Sequence, residues 1–298
     1  MAEAATALRR KIAIAGDLES VVRTMKALAA SSVGQYERSV RALGGYYRVV
    51  ELGLSTCLRD ERVAPAEATR ARDDSGDPID VVVFGSDQGL VGQFNDVAAD
   101  FAVETLRRLR GDMRVWAVGA RVRARLADAG LPLVGSFDVP TSVKAIAPLV
   151  ARIQIATEVP RTAREREYAR LYVMHNRPGG GSPYDPVSQK LLPLDAQWQT
   201  DLAKIPWPTR QVAELMCSRA VTLRALVREY LFISLFRACA ESLASENASR
   251  LSAMERAERN IDELLRNLRG ALNRVRQATI DEELFDVVAG SESSTSRD

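Results

Sequence analysis

The chain has 298 residues, 41 of them Lys or Arg and 39 Asp or Glu, with one His and three Cys. Acids and bases are interleaved, which argues against the one-signed stripe that nucleic acid requires. One His and the widely spaced Cys57, Cys217 and Cys239 argue against a zinc site and fit a reducing compartment. No signal peptide is expected, and no stretch approaches the about 18 uncharged apolar residues of a membrane-spanning helix.

Proline placement divides the sequence, because proline breaks helix interiors. All 12 prolines fall between Pro65 and Pro208, leaving two proline-free arms. The first arm, residues 1–60, reads as one amphipathic helix. Leu18, Val22, Met25, Ala29, Tyr36, Val40, Leu43, Tyr47, Val50 and Leu54 approximate the 4-3 spacing of a coiled coil. As one helix, residues 8–54 would reach roughly 70 Å at ~1.5 Å per residue. Gly34, Gly44 and Gly45 are where it is expected to bend. Residues 61–77, which include "DDSG", read as a linker.

The centre, residues 78–195, alternates between strand-like and helix-like segments. "PIDVVVFG" (78–85), "MRVWAVG" (113–119), "LPLVGSFDV" (131–139) and "YARLYVMHN" (168–176) read as strands. Residues 96–110, 120–130 and 142–158 read as helices. Such alternation predicts a parallel sheet with helices on its faces, an α/β domain inserted between the arms. "RPGGGSPYDP" (177–186) reads as a loop, and the strand-like "SQKLLPL" leads out of the domain. Residues 196–208 read as a second linker. The last arm, 209–290, continues the coiled-coil signal through Ile261, Leu265, Leu268, Leu272 and Val275. Met25 and Leu28 on the first arm, with Leu265, Leu268 and Val275 on the last, are the expected packing residues. The polar end, 291–298, is expected to be disordered.

The stretch "FGSDQGLVGQFND" (84–96) lies between a strand and a helix, where nucleotide sites often begin. It lacks the dinucleotide pattern G-x-G-x-x-G, because Asp87 occupies the position of the first glycine. It also lacks G-x-x-x-x-G-K-[ST], since Leu90 stands where the second glycine is needed and no Gly-Lys pair exists in the chain. The reading left is a tight turn. Gly89 and Gly92 would supply positive φ, and Asp87 and Asn95 would cap local backbone. His175 has no evident catalytic partner. No bound cofactor or metal is expected, and no catalytic residues are assigned.

Several segments, in order along the chain, resemble the γ subunit family of F-type ATP synthases. "RNLRGALNRVRQATIDEELFDVVAG" (266–290) resembles the family's C-terminal signature, with Asn273, Arg276, Gln277, Ala278, Ile280, Glu283, Leu284, Val288 and Gly290 matching. "SENASRLSAM" (245–254) resembles the pattern S-E-x-A-A-R-M-x-A-M. "LRRKIA" and "VVRTMKALAAS" resemble the N-terminal signature, "SDQGLVGQFN" resembles S-D-R-G-L-C-G-x-[FL]-N, and "SQKLLPL" resembles I-x-Q-L-L-P-L.

The resemblance implies that the arms wind into an antiparallel coiled coil, a rotor shaft in the bore of a hexamer of α and β subunits. The α/β insert would be the foot, near the ε subunit and the membrane c-ring. One copy per complex is implied, peripheral to the cytoplasmic face of a bacterial plasma membrane, with catalysis in the β subunits. It further implies that Arg276 and Gln277 meet a β-subunit loop as a catch, with Arg250 on the same polar face. Ser32, Gln88, Val91 and Asp281 depart from the family's residues, Asp281 replacing a threonine of the catch. Those departures suggest a divergent branch, the alternate F-type ATPases. The other readings are a nucleotide-binding oxidoreductase-like domain with helical arms and a coiled-coil adaptor. The broken glycine pattern speaks against the first, and the C-terminal signature against the second.

Overall fold

A computed structural model of the chain describes residues 2–59, 79–158, 170–180, 182–211 and 213–295. The expected linker 61–77 lies outside these residues. The chain forms two compact units, Met1–Ala29 with Leu251–Asp298, and Ala30–Arg250. The architecture is α+β, with a long helix at each end and a mixed sheet between them.

Helix α1 runs unbroken over Ala2–Leu58, through Gly34, Gly44 and Gly45, at none of which the helix is interrupted. In the larger unit, five strands follow: β1 (Ile79–Phe84), β2 (Met113–Val118), β3 (Leu133–Phe137), β4 (Arg170–Arg177) and β5 (Asp185–Leu192). Their order in the sheet is β3-β2-β1-β4-β5. The first four pair in parallel. Strand β1 lies at the middle and is buried at every residue, as a parallel strand covered on both faces must be. Its one charge, Asp80, receives two hydrogen bonds from the Arg114 guanidinium, at 2.8 and 3.1 Å.

Helices α2 (Phe94–Arg107) and α3 (Ala120–Asp128) cover the face carrying Val81 and Val83. Helix α4 (Ile146–Glu158), Tyr36 of α1 and the last helix cover the face carrying Val82 and Phe84.

Two expectations for this region are corrected. The sheet is mixed, because β5 returns antiparallel to β4, with Met174 opposite Ser188 and Asn176 opposite Pro186. A hairpin too short for a crossover helix permits only that direction. The expected linker 196–208 contains helix α5 (Ala196–Ala203). Asp195 caps it, its carboxylate accepting from Trp198 N at 2.8 Å, and its Leu202 is buried.

The last helix, α6, spans Arg219–Thr295. It starts ten residues later than expected, beyond Pro206 and Pro208, and runs through most of the expected tail, where no proline stops it. Within the larger unit it lies antiparallel to α1. The Tyr46 hydroxyl donates to Glu229 at 2.7 Å, and the Tyr47 and Tyr230 rings sit 6.2 Å apart. Further along α1 and further back along α6, a Cβ on Gly53 would come within 3.0 Å of Leu226, and the Arg219 guanidinium donates to the Cys57 carbonyl. Of the three thiols, Cys57 and Cys239 are buried and Cys217 is exposed.

The smaller unit is also an antiparallel helix pair. Glu258 of α6 accepts from Lys26 Nζ at 2.7 Å and from Arg23 Nε at 3.4 Å, while Glu19 of α1 faces Asp262, Leu265 and Arg266. Leu265 and Leu272 are buried, and Met25, Leu268 and Val275 are half-buried. Leu28 does not pack here, being 64% exposed, and Leu18 is also exposed. The inward line of α1 runs through Ala15, Glu19, Val22, Lys26 and Ala29, one residue out of phase with the larger side chains. Val22 and Ala29 of the expected spacing lie on it, and small or charged residues take the other places.

The only His of the chain joins β4 to α6. His175 Nε2 lies 2.9 Å from Glu241 Oε2, and Arg237 Nε donates to Glu241 Oε1 at 2.7 Å. Burial pushes the Glu241 carboxyl up, but hydrogen bonds from His175 and Arg237 outweigh it and hold the group below its ordinary value of 4.5. A lowered carboxyl stabilises the fold above that value and loses its contribution as pH falls through the folded one. Replacing Glu241 by Gln should therefore open a stability gap at pH 7 that narrows below pH 4.5, as followed by unfolding midpoints across that range. A gap independent of pH would refute the assignment.

Candidate functional site

The glycine-dotted loop after β1 is a closed knot of internal hydrogen bonds. Asn95 Oδ1 accepts from Ser86 N at 2.9 Å, and Asn95 Nδ2 donates to Ser86 Oγ at 2.8 Å. Asp87 uses both carboxylate oxygens. Oδ1 accepts from Ala120 N at 2.8 Å and Oδ2 from Val139 N at 2.7 Å. Ala120 is the first residue of α3, so Asp87 occupies the place at that helix N-terminus where a bound anion would lie. The loop satisfies with its own side chains the donors that a phosphate would need.

Positive φ falls at Leu90 (61°) and Gly92 (57°), not at Gly89, which corrects one of the two glycine roles. The demand for glycine is greater at Gly85. A Cβ there would stand 2.3 Å from Val122 Cβ and 2.8 Å from Asn95 Oδ1. Val91 is 2% exposed, and its carbonyl accepts from Ser249 Oγ of α6 at 2.6 Å.

The contact residues implied by resemblance fall in different units. Arg276, Gln277 and Asp281 are exposed on α6 in the smaller unit. Beside them in sequence, Ile280 is 60%, Leu284 61% and Phe285 70% exposed. Exposed apolar side chains of this size are common at interaction surfaces. The coiled-coil spacing ends at Val275 and does not reach them.

Arg250 belongs to the larger unit and is not a free cation on a polar face. Its Nη2 donates to Glu246 Oε1 at 2.7 Å and its Nη1 to Asn247 Oδ1 at 3.4 Å, with its side chain 12% exposed. Burial pushes the Glu246 carboxyl up, against the pull of Arg250. Helical i, i+4 geometry brings Glu246 and Arg250 together, and burial keeps them so. Among the described residues, no group of three His, Cys, Asp or Glu could hold a metal ion, and no helix is long and apolar enough to cross a membrane.

Two long terminal helices, paired antiparallel within each unit, with a mixed sheet inserted between them in the chain and a self-satisfied loop where nucleotide sites often begin, define a paired-helix protein with an α/β insert. Residues 4–293 match the family model described as ATP synthase. Relatives named ATP synthase gamma chain include that of Syntrophus aciditrophicus, 27% identical over 96% of each chain. That of Anaeromyxobacter sp. (strain Fw109-5) is 28% identical over 96% of this chain and 97% of the relative. The chain belongs to the ATP synthase γ chain family.

Among solved structures, a chain of the Euglena gracilis mitochondrial ATP synthase in rotational state 3 shares the fold. Its TM-score is 0.63 at 18% identity, over 98% of this chain and 95% of that one. A chain of the Tetrahymena thermophila central stalk and c-ring gives 0.53 at 20% identity, over 80% and 99%.

Asp87→Ala leaves two backbone N–H groups without their acceptor and is expected to lower stability by about 2–3 kcal/mol. Asp87→Asn keeps one acceptor oxygen and should cost about half of that. Urea unfolding midpoints of the two variants check the order, and equal losses would refute it.

Proposed function

We propose that this chain is the central-stalk rotor subunit of an F-type ATP synthase, one copy standing in the bore of a hexamer of α and β subunits. The observation that carries this reading is the family match from residue 4 to residue 293, which spans both helices and the insert. The α/β insert is the foot that meets the ε subunit and the membrane c-ring. The protein works from the cytoplasmic face of a bacterial plasma membrane, and ATP chemistry takes place in the β subunits.

The mechanism follows from shape and surface. Ion flow, of H⁺ or Na⁺, turns the ring and with it the foot. The helix pair carries that rotation into the hexamer, where its uneven surface forces each β site into a different state. A shaft in a bore needs contacts that hold and then release once per turn. Arg276 and Gln277 are exposed and can donate to a carboxylate or carbonyl of a β-subunit loop. Such solvent-facing contacts are worth about 1 kcal/mol each, weak enough to break during rotation. Asp281 adds a negative charge where the resembling pattern has a hydroxyl, so this catch is set for a different partner group. Ile280, Leu284 and Phe285 supply apolar area to the same encounter.

Co-expressed with its cognate α and β subunits, the chain should purify in a complex containing one copy per hexamer, counted by native mass spectrometry. Assembly of α and β without it, under the same conditions, would refute the rotor reading. A chain truncated after Arg269 should still enter the complex but lose ATP-driven ion transport relative to hydrolysis. An unchanged ratio would remove Arg276, Gln277 and Asp281 from the catch.

A further inference from the structure

Between Glu241 and Ser249, α6 packs on the insert mostly through small buried side chains, with Leu243 the one large apolar group among them. Ala244 is 2%, Ser242 2%, Ser245 0% and Ser249 6% exposed. Short side chains make shallow ridges, so shape alone gives the helix little hold against sliding or turning on what it packs against. Directional bonds must supply that hold. Within this stretch two do so, one at each end, and further back on α6 Gln154 of α4 donates to the Arg228 carbonyl at 3.3 Å.

At one end His175 of β4 meets Glu241, with Nε2 and Oε2 2.9 Å apart and the two side chains 4% and 8% exposed. At the other end Ser249 Oγ donates to the Val91 carbonyl at 2.6 Å. The two points are eight residues apart, which is about 12 Å along the helix and about 80° around its axis. A pair of ties so displaced opposes both translation and rotation in either sense. Neither end can yield locally. His175 lies within the paired part of β4, opposite Val187 of β5. The Val91 loop is held by the Asn95–Ser86 and Asp87–Ala120 bonds, and the Phe94 carbonyl accepts from Asn176 of β4 at 3.0 Å.

We infer that His175 with Glu241, and Ser249 with the Val91 carbonyl, form a register lock that fixes the angular position of α6 on the insert, so that torque applied to the insert is delivered to the shaft without slip. The inference rests on the rotor reading. It assigns positioning roles to two residues that carry no chemistry. The Ser249 tie is a feature of this chain, since Ser249 stands where the pattern S-E-x-A-A-R-M-x-A-M has Ala. Ser249→Ala therefore removes one hydroxyl at a position where Ala is already compatible with the family fold.

The test uses the whole complex with its cognate subunits in vesicles. A membrane potential is imposed with K⁺ and valinomycin, so that ATP-driven charge movement is measured against load whichever ion is carried. An oxonol dye reads charge movement and phosphate release reads hydrolysis. One hydrogen bond is worth about 1 kcal/mol, so Ser249→Ala should raise the fraction of slipping turns about fivefold under load. Hydrolysis without load should be unchanged. Ser249→Thr, which keeps the hydroxyl, should restore the ratio.

His175→Ala alone should act in the same direction, and His175→Gln, which can still donate to Glu241, should act less. The double variant should exceed the two singles combined, because either remaining tie still holds the helix. A transport-to-hydrolysis ratio in Ser249→Ala and His175→Ala equal to the unsubstituted complex, with only their unfolding midpoints lowered, would overturn the lock and leave both as ordinary structural bonds. Copurification is scored first. If the unsubstituted chain does not assemble with α and β, it is the rotor reading that fails.

Discussion

An inserted sheet can interrupt a helical protein only if the helices on either side of it return to each other. In the larger unit, the Tyr46–Glu229 bond and the Tyr47–Tyr230 contact bring α1 and α6 together. In the smaller unit, the bonds from Lys26 and Arg23 to Glu258 do so. The antiparallel sense is what lets the chain leave one helix, build five strands and come back at the matching place. It also sets which residues face inward, and so which are left for other proteins.

The two units hold their helices by different means. In the larger one, aromatic and aliphatic side chains do the work. Val50, Leu54, Tyr230 and Ile233 are buried together with Leu202 of α5. Burial of that kind is worth roughly 1.5–3 kcal/mol per side chain and does not depend on salt. In the smaller unit, Ala15 and Ala29 offer little area, and charged side chains at Glu19, Lys26 and Glu258 lie beside them. These pairs are exposed to screening and weaken in high salt. Small side chains keep the pair slender and leave Leu18, Val21 and Leu28 on its outside.

Much of this was legible in the sequence, and the exceptions have identifiable causes. Leu265, Leu272, Tyr36, Val50 and Leu54 stand at coiled-coil spacing, and burial found them. Ala29 also stands at that spacing and is buried, whereas Leu28, expected to pack, is exposed, because tight packing at that turn takes the smaller side chain. Helix α5 was hidden because proline punctuation beyond Lys204 suggested a linker, although Asp195 three residues before Trp198 is an N-cap signal. Strand β5 was readable as a strand, but its direction depends on how short the return from β4 is. Asp87 and Asn95 were identifiable as turn residues from residue type alone. That Asp87 would bridge to α3 and to Val139, more than 30 residues onward, is tertiary information. Ser249 carried no signal, since a serine in a run of small residues reads as packing until the carbonyl above it is seen.

The three thiols are unequal. Cys57 and Cys239 are each 1% exposed, and burial pushes both thiols above their ordinary range, so neither presents a thiolate to reagents. Cys217, in the segment leading into α6, is open to solvent. A maleimide dye, spin label or bead therefore finds one address on the unaltered chain. The other two cysteines need not be replaced, and a packed core that any cysteine-free variant would disturb stays intact.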